Sequence, residues 1–347
     1  MIHVVRWLLL PVSLLYAAVV WLRNRMYDLQ ILKSTSFDLP VVVIGNLAVG
    51  GTGKSPMTEY VLSTLKQRRN IAVVSRGYGR KTKGFRIVKT TDQSVSVGDE
   101  PLQIKRKFPE TEVIVCEDRV LAIKQLRDTV DGVLLDDAFQ HRALKPSFVI
   151  LLFDYASLLQ PILPLPTGNF RDTLVESRRS DVIVVTKCPD HVDPSVKSVI
   201  ASRLSRYSHS PIFYAKTAYG HLKNAQGAHF DDKLLADTHV LLVTGIANPK
   251  PMASYLTQRV KNVKHLRYND HHHFTQREFT EISNTFRKIG REQKIIVTTE
   301  KDFQRIPSSF LDRHPVYFLP IEQAILFGEA PQLNTEIEKA FQSGSVN

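Results

Sequence analysis

Lys54 and Ser55 end a glycine-rich run, Gly50-Gly51-Thr52-Gly53, and Pro56 follows where the first turn of a helix would begin. Residues of these types in this order suit phosphate chemistry. Glycines let backbone N–H groups converge on phosphate oxygens, and a helix N-terminus adds positive partial charge. Lys54 would then reach the β- and γ-phosphates, and Ser55 would hold magnesium. The strict pattern G-x-x-x-x-G-K-[ST] calls for glycine at position 48, where this chain has Ala48. The nucleotide-binding stretch is read as Ala48, Val49, Gly50, Gly51, Thr52, Gly53, Lys54 and Ser55.

Other groups complement such a loop. Asp136 and Asp137 end an apolar run, GVLLDD, as magnesium-binding acids at a strand end do; a helix cap or turn is the alternative. Ser75-Arg76-Gly77-Tyr78-Gly79-Arg80 offers two arginines on a tight loop. Asp99, in Gly98-Asp99-Glu100-Pro101, has good helix-start chemistry and is also a candidate proton acceptor. Arg171, in Asn169-Phe170-Arg171-Asp172 after a proline-rich stretch, fits an acidic substrate group and a surface ion pair equally. Consecutive histidines at 271–273 do not share a face easily, so one histidine paired with a carboxylate is favoured over a metal site. Thr299-Glu300-Lys301-Asp302 either faces the nucleotide across a cleft or starts a helix.

The elements that must position these groups are legible. Val41 to Ile44 is a β-branched run that reads as a buried strand leading into the glycine loop. Further apolar runs at 71–75, 113–116, 132–137, 148–153 and 182–186 alternate with helical stretches at 57–68 and 119–127, which predicts a mainly parallel sheet covered by helices. Ile212 to Lys216 reads as a strand, HLKNAQG at 221–227 has turn chemistry, and a second α/β unit follows with strands near 240–244, 294–298 and 316–319. The expected organisation is an N-terminal helix over 1–28, a core over 29–210, a β-hairpin linker over 211–236 and a smaller α/β domain over 237–347.

Composition narrows the partners. The chain has 347 residues and a net charge of +12, which favours anionic partners. Only Cys116 and Cys188 are present, each in or beside an apolar run, which argues against a disulfide framework or zinc site. Trp7 to Leu22 is uncharged and flanked by Arg6, Arg23 and Arg25. It is shorter than the ~20 residues a span needs and is interrupted by Pro11 and Ser13, so a helix lying in the membrane interface is expected, ahead of a short span or a buried helix. Basic residues are dispersed without a motif for stacking bases, which excludes a nucleic-acid partner. A GTPase would need [NT]-K-x-D, and Thr186-Lys187-Cys188-Pro189 breaks it; a partition-type ATPase would need a lysine where Val49 stands.

Taken together, G-N-L-x-V-G-G-T-G-K-S-P, S-R-G-Y-G, G-D-E-P, D-D-A-F-Q-H, D-H-H-H-F and T-E-K-D occur in an order that resembles the tetraacyldisaccharide 4′-kinases of Gram-negative bacteria. The resemblance runs from the N-terminal apolar helix to about Asp302, with Ala138 and Gly168-Asn169-Phe170-Arg171-Asp172-Thr173 departing from the usual D-D-G-F-Q and G-x-L-R-E-P. It implies a P-loop-type kinase using ATP and Mg²⁺ at the cytoplasmic face of the inner membrane. Its acceptor would be a tetraacylated glucosamine disaccharide 1-phosphate and its product lipid IVA. A single chain is expected to suffice. The implied roles are Asp99 supported by His271 at the sugar hydroxyl, Lys54 and Arg171 at phosphates, and Ser55 with Asp136 or Asp137 at magnesium. Since Asp99 and His271 fall in different halves, the resemblance also implies closure of the cleft during the cycle.

Overall fold

The computed structural model describes residues 6–65, 69–270, 272–290 and 292–342. The apolar runs become strands β1 (Val41–Asn46), β2 (Ile71–Ser75), β3 (Arg86–Ile87), β4 (Glu112–Val115), β5 (Gly132–Asp136), β6 (Phe148–Asp154), β7 (Val182–Thr186) and β8 (Ile212–Tyr219). With β13 (Ile321–Ile325) they form one nine-stranded sheet in the order β13-β8-β7-β6-β1-β5-β2-β4-β3. All neighbours from β8 to β4 run parallel, and the edge strands β3 and β13 are antiparallel. β1, β2, β5 and β7 are buried along their whole length, as strands covered on both faces must be. Because β1 lies between β5 and β6, the strand order reverses there, and the carboxyl ends of β1, β5 and β2 open onto one crevice.

A second sheet contains β9 (His239–Thr244), β10 (Asn262–Arg267), β11 (Lys294–Thr299) and β12 (Val316–Leu319) in the parallel order β10-β9-β11-β12. Met252 and Leu256 of the Lys250–Thr257 helix cover one face. Phe279, Ile282 and Phe286, spaced as one helical stripe on Gln276–Lys288, cover the other.

The domain boundaries differ from those expected. β8 lies within the stretch assigned to the linker, and β13 within the stretch assigned to the second domain, yet both belong to the large sheet. The final helix, Ala330–Gln342, also returns to it. Its Leu333, Ile337 and Phe341 join the core formed by Val42, Ile44 and the Lys54–Leu65 helix. The second lobe is therefore inserted between β8 and β13. The hairpin exists but is shorter, with Phe230 N–H donating to Leu222 O and Asn224 N–H to Ala228 O. Lys223 also exchanges backbone hydrogen bonds with Phe318 of β12, so a two-stranded ribbon runs from one sheet into the other.

The N-terminal helix, Leu10–Asp28, is polar inward and apolar outward. Ser13 Oγ donates to Thr167 Oγ1 at 2.8 Å, Tyr16 hydroxyl to Arg171 O at 3.1 Å, and Asn24 Nδ2 to Asp172 Oδ1 at 3.0 Å. Asp28 accepts from Arg142 and Arg178. Val12, Leu14, Leu15, Val19, Trp21 and Leu22 face away from the core and are exposed. Among the described residues no helix is long and apolar enough to cross a membrane.

Candidate active site

The glycine loop sits between the end of β1 and the Lys54–Leu65 helix. Gly50 and Gly53 hold φ values of +104° and +83°, a region that side chains with a Cβ avoid. The loop is braced from three directions. Asn46 Nδ2 donates to Thr52 Oγ1 at 2.7 Å, Thr186 Oγ1 at the end of β7 donates to Thr52 O at 2.8 Å, and Gln323 Nε2 of β13 reaches Gly53 O at 3.4 Å. Thr186 and Gln323, invisible as partners in the sequence, are supplied by sheet order.

β5 delivers two carboxylates with different surroundings. Asp137, at φ +55°, lies just past the strand. Burial pushes its carboxyl up, but Lys54 and Arg171 outweigh that and hold it below the usual carboxylate range. Lys54 Nζ is 3.7 Å from Asp137 Oδ2, and Arg171 Nη2 donates to Asp137 Oδ1 and to Asn46 Oδ1. Asp136 is fully buried, and neither of its oxygens has a hydrogen-bond partner among the described residues. Burial, then the charges of Glu100 and Asp137, raise its carboxyl to about 7. Two orphaned buried oxygens are costly unless a cation or ordered water meets them, so this position fits a magnesium shell. No group of three or more His, Cys, Asp or Glu side chains among the described residues could hold a metal unaided. A cation here would need phosphate oxygens and water, as magnesium commonly does.

Arg171 is brought in by a loop paired to the strand of the glycine loop. Val49 N–H donates to Asn169 O and Arg171 N–H to Leu47 O, both at 2.8 Å. The loop has no room at Gly168, where a Cβ would stand 2.0 Å from Leu163 O. Gly168→Ala is therefore expected to displace Arg171, lowering kcat about 10²-fold and stability by about 1–3 kcal/mol. Steady-state kinetics and thermal unfolding of the variant check this.

Asp99 is the first residue of the Asp99–Lys107 helix, behind Gly98 at φ +91°. Gly98 packs on Gly77 of the S-R-G-Y-G loop, with 3.2 Å between its would-be Cβ and Gly77 Cα, so that loop and Asp99 share one corner of the crevice. Across the cleft stands the T-E-K-D segment, which does start a helix: Thr299 Oγ1 accepts from Asp302 N–H, capping Glu300–Phe303. It meets the Asp99 helix rather than empty space. Arg305 pairs with Asp99, Lys301 Nζ lies 3.3 Å from Glu100 Oε1, and Arg106 Nη1 donates to Gln304 Oε1 at 2.6 Å. His271 lies outside the described residues. Sequence reading assigns no site role to Arg119 or Arg305. Each is a polar residue whose relevance appears only when distant segments meet in the fold.

The lobe interface also buries titratable groups. Lys107 Nζ is 2.6 Å from Glu59 Oε2 and 3.5 Å from Glu300 Oε2. Burial, then the neighbouring Glu59 charge, pushes Glu300 up to about 7. Between the unfolded carboxylate range and that value, the folded protein holds a proton the unfolded chain lacks, so rising pH costs stability. Glu300→Gln should raise Tm by a few degrees at pH 8 and by little at pH 5. Equal shifts at both pH values in calorimetry would contradict this.

The family model described as tetraacyldisaccharide-1-P 4′-kinase matches residues 5–342. The chain belongs to this family. It is 39% identical to the tetraacyldisaccharide 4′-kinase of Bacteroides thetaiotaomicron, over 97% of this chain and 93% of that one. Identity to the Phocaeicola vulgatus tetraacyldisaccharide 4′-kinase is 36%, over 100% and 98% of the two chains. The crystal structure of LpxK from Aquifex aeolicus in complex with ATP superposes with a TM-score of 0.76 at 27% identity, covering 97% of this chain and 99% of that one. The tetraacyldisaccharide 4′-kinases are kinases of lipid A biosynthesis, and the mixed α/β structure with its large, mainly parallel sheet matches that of the Aquifex aeolicus protein.

Proposed function

We propose that the crevice transfers the γ-phosphate of ATP to the 4′-hydroxyl of tetraacyldisaccharide 1-phosphate, yielding lipid IVA and ADP. The observation that carries this is the meeting of Lys54, Asp137 and Arg171 at the end of β5, beside the corner occupied by Asp99 and Glu100. Backbone N–H groups of Gly51 to Ser55 and the helix N-terminus bind the phosphates. Lys54 and Arg171 neutralise phosphoryl oxygens, exchanging Asp137 for the nucleotide or sharing it. The 4′-oxygen forms its bond to the γ-phosphorus as the bridging P–O bond to ADP breaks, and the hydroxyl proton passes to Asp99 Oδ. Bound magnesium, held by Ser55 and Asp136 in preference to the already paired Asp137, would supply charge neutralisation at the β- and γ-oxygens. A supporting role for His271 at Asp99 is what the family resemblance implies.

Arg76, Arg119 and His141 offer a cradle for the acceptor's own phosphate. Burial, then the Arg76 charge, depresses the Arg119 guanidinium, and burial followed by Arg119 depresses His141. Arg119 Nε and His141 Nε2 are buried without hydrogen-bond partners among the described residues. Such a basic cluster beside the N-terminal helix suits an anionic headgroup whose acyl chains remain in a bilayer. The outward apolar face of that helix, with flanking arginines, supports attachment to the inner membrane's cytoplasmic surface. Transfer of labelled γ-phosphate from ATP to the lipid disaccharide in detergent, with Asp99→Ala as control, tests the reading; no transfer by the intact protein defeats it.

A further inference from the structure

We propose that Arg305 is a positioning residue for phosphoryl transfer, clamping Asp99 of the core to the inserted lobe in one fixed geometry. Its guanidinium is almost wholly buried, at 2% exposure. Nε donates to Asp99 Oδ1 at 2.9 Å, and Nη2 to Asp99 Oδ2, a bidentate pair across the cleft. The remaining nitrogen, Nη1, serves the lobe that Arg305 belongs to: it donates to Asp302 Oδ1 and to His272 O, each at 3.2 Å. Both anchors are themselves fixed. Asp302 is fully buried, and its Oδ2 accepts from Gly245 N–H and Thr299 Oγ1 at 2.8 Å. The His272 ring stacks on Tyr268 with 4.9 Å between centroids, and its Nε2 lies 2.9 Å from Glu278 Oε1.

A planar fork that satisfies two lobes at once does more than neutralise charge. It sets both the distance and the plane of the Asp99 carboxylate relative to the loop that carries His272. Lysine has a point charge and cannot reproduce that geometry. The clamp acts through Asp99, so this inference rests on the reading of Asp99 as proton acceptor.

The test uses the full chain in detergent with ATP and tetraacyldisaccharide 1-phosphate. Arg305→Met should lower kcat about 10²-fold with the KM for ATP little changed, and move the acid limb of the kcat–pH profile upward as Asp99 loses its neighbouring cation. Arg305→Lys keeps the charge and should restore the pH profile but only part of kcat; it carries the test if Arg305→Met yields no soluble protein. In the Asp99→Asn background either substitution should cost no further activity. Arg305→Lys at the parent kcat, or losses that multiply with Asp99→Asn, overturns the clamp. Asp99→Asn at the parent kcat instead defeats the reading of Asp99 and removes the clamp with it.

Discussion

Lys54→Met should abolish nearly all phosphoryl transfer, lowering kcat by about 10³-fold while leaving the fold intact. Lys54 stands at the first residue of its helix, so its backbone still closes the glycine loop when the side chain changes. What disappears is the one cation that both faces Asp137 and extends from the phosphate-binding turn. Asp137 then keeps Arg171, and after it Arg119, among the charges that hold its carboxyl low. The γ-phosphate would thus meet a carboxylate whose charge is less fully offset, at the point where negative charge is being redistributed. Lys54 is largely but not wholly enclosed, so its loss removes charge without opening a large cavity. Turnover measured beside a thermal melt separates the effects: a parent-like Tm with turnover within tenfold of the parent contradicts the role given to Lys54.

The second large effect concerns the N-terminal helix. Replacing Leu14, Leu15 and Val19 together with glutamate should abolish binding to vesicles containing anionic lipid and leave Tm within a degree or two. The three side chains are more than half exposed, at 61%, 67% and 60%, so charging them breaks no packing. Each apolar side chain that enters a bilayer surface contributes about 1.5–3 kcal/mol, so losing three lowers partitioning by at least about 10³-fold. Glutamate also opposes an anionic surface. Detergent-presented substrate should still be turned over near the parent rate, since Ser13, Tyr16 and Asn24 hold the helix to the Arg171 loop from the other side. Undiminished vesicle co-sedimentation would remove the membrane role; a collapse in Tm would show the face to be structural.

The sheet was largely legible because strands buried on both faces leave an unmistakable record. VVVI, IAVV and VLL can bury nothing polar, and they do form β1, β2 and β5. β10 left no such record. Its residues, NVKHLR, alternate with charge because it is the half-exposed edge of the second sheet. β13, IEQAI, is likewise an edge strand, and nothing local tells an edge which sheet it will join. The helix bearing Leu333, Ile337 and Phe341 shows a clear stripe but not its destination, so the chain's return to the core has no local sign. Within the site, the glycine loop and Asp136–Asp137 were visible because their chemistry is local. Arg305 was not, since its meaning lies in Asp99, far away in the chain and adjacent only after both lobes form.

The ribbon that joins the lobes also limits how they can move. Tyr219 and Ile321 are direct partners in the ladder, and Lys223 pairs with Phe318 further along it. The inserted lobe thus leaves and re-enters the core side by side, on two hydrogen-bonded strands. A strip of that kind flexes across its face at little cost, whereas sliding one strand past the other would break the ladder at every step. Such a connection favours a nod of the lobe toward or away from the crevice over a sliding motion. Arg305 rides on that lobe, so the lie of the ribbon and the pair Arg305 makes with Asp99 are set together.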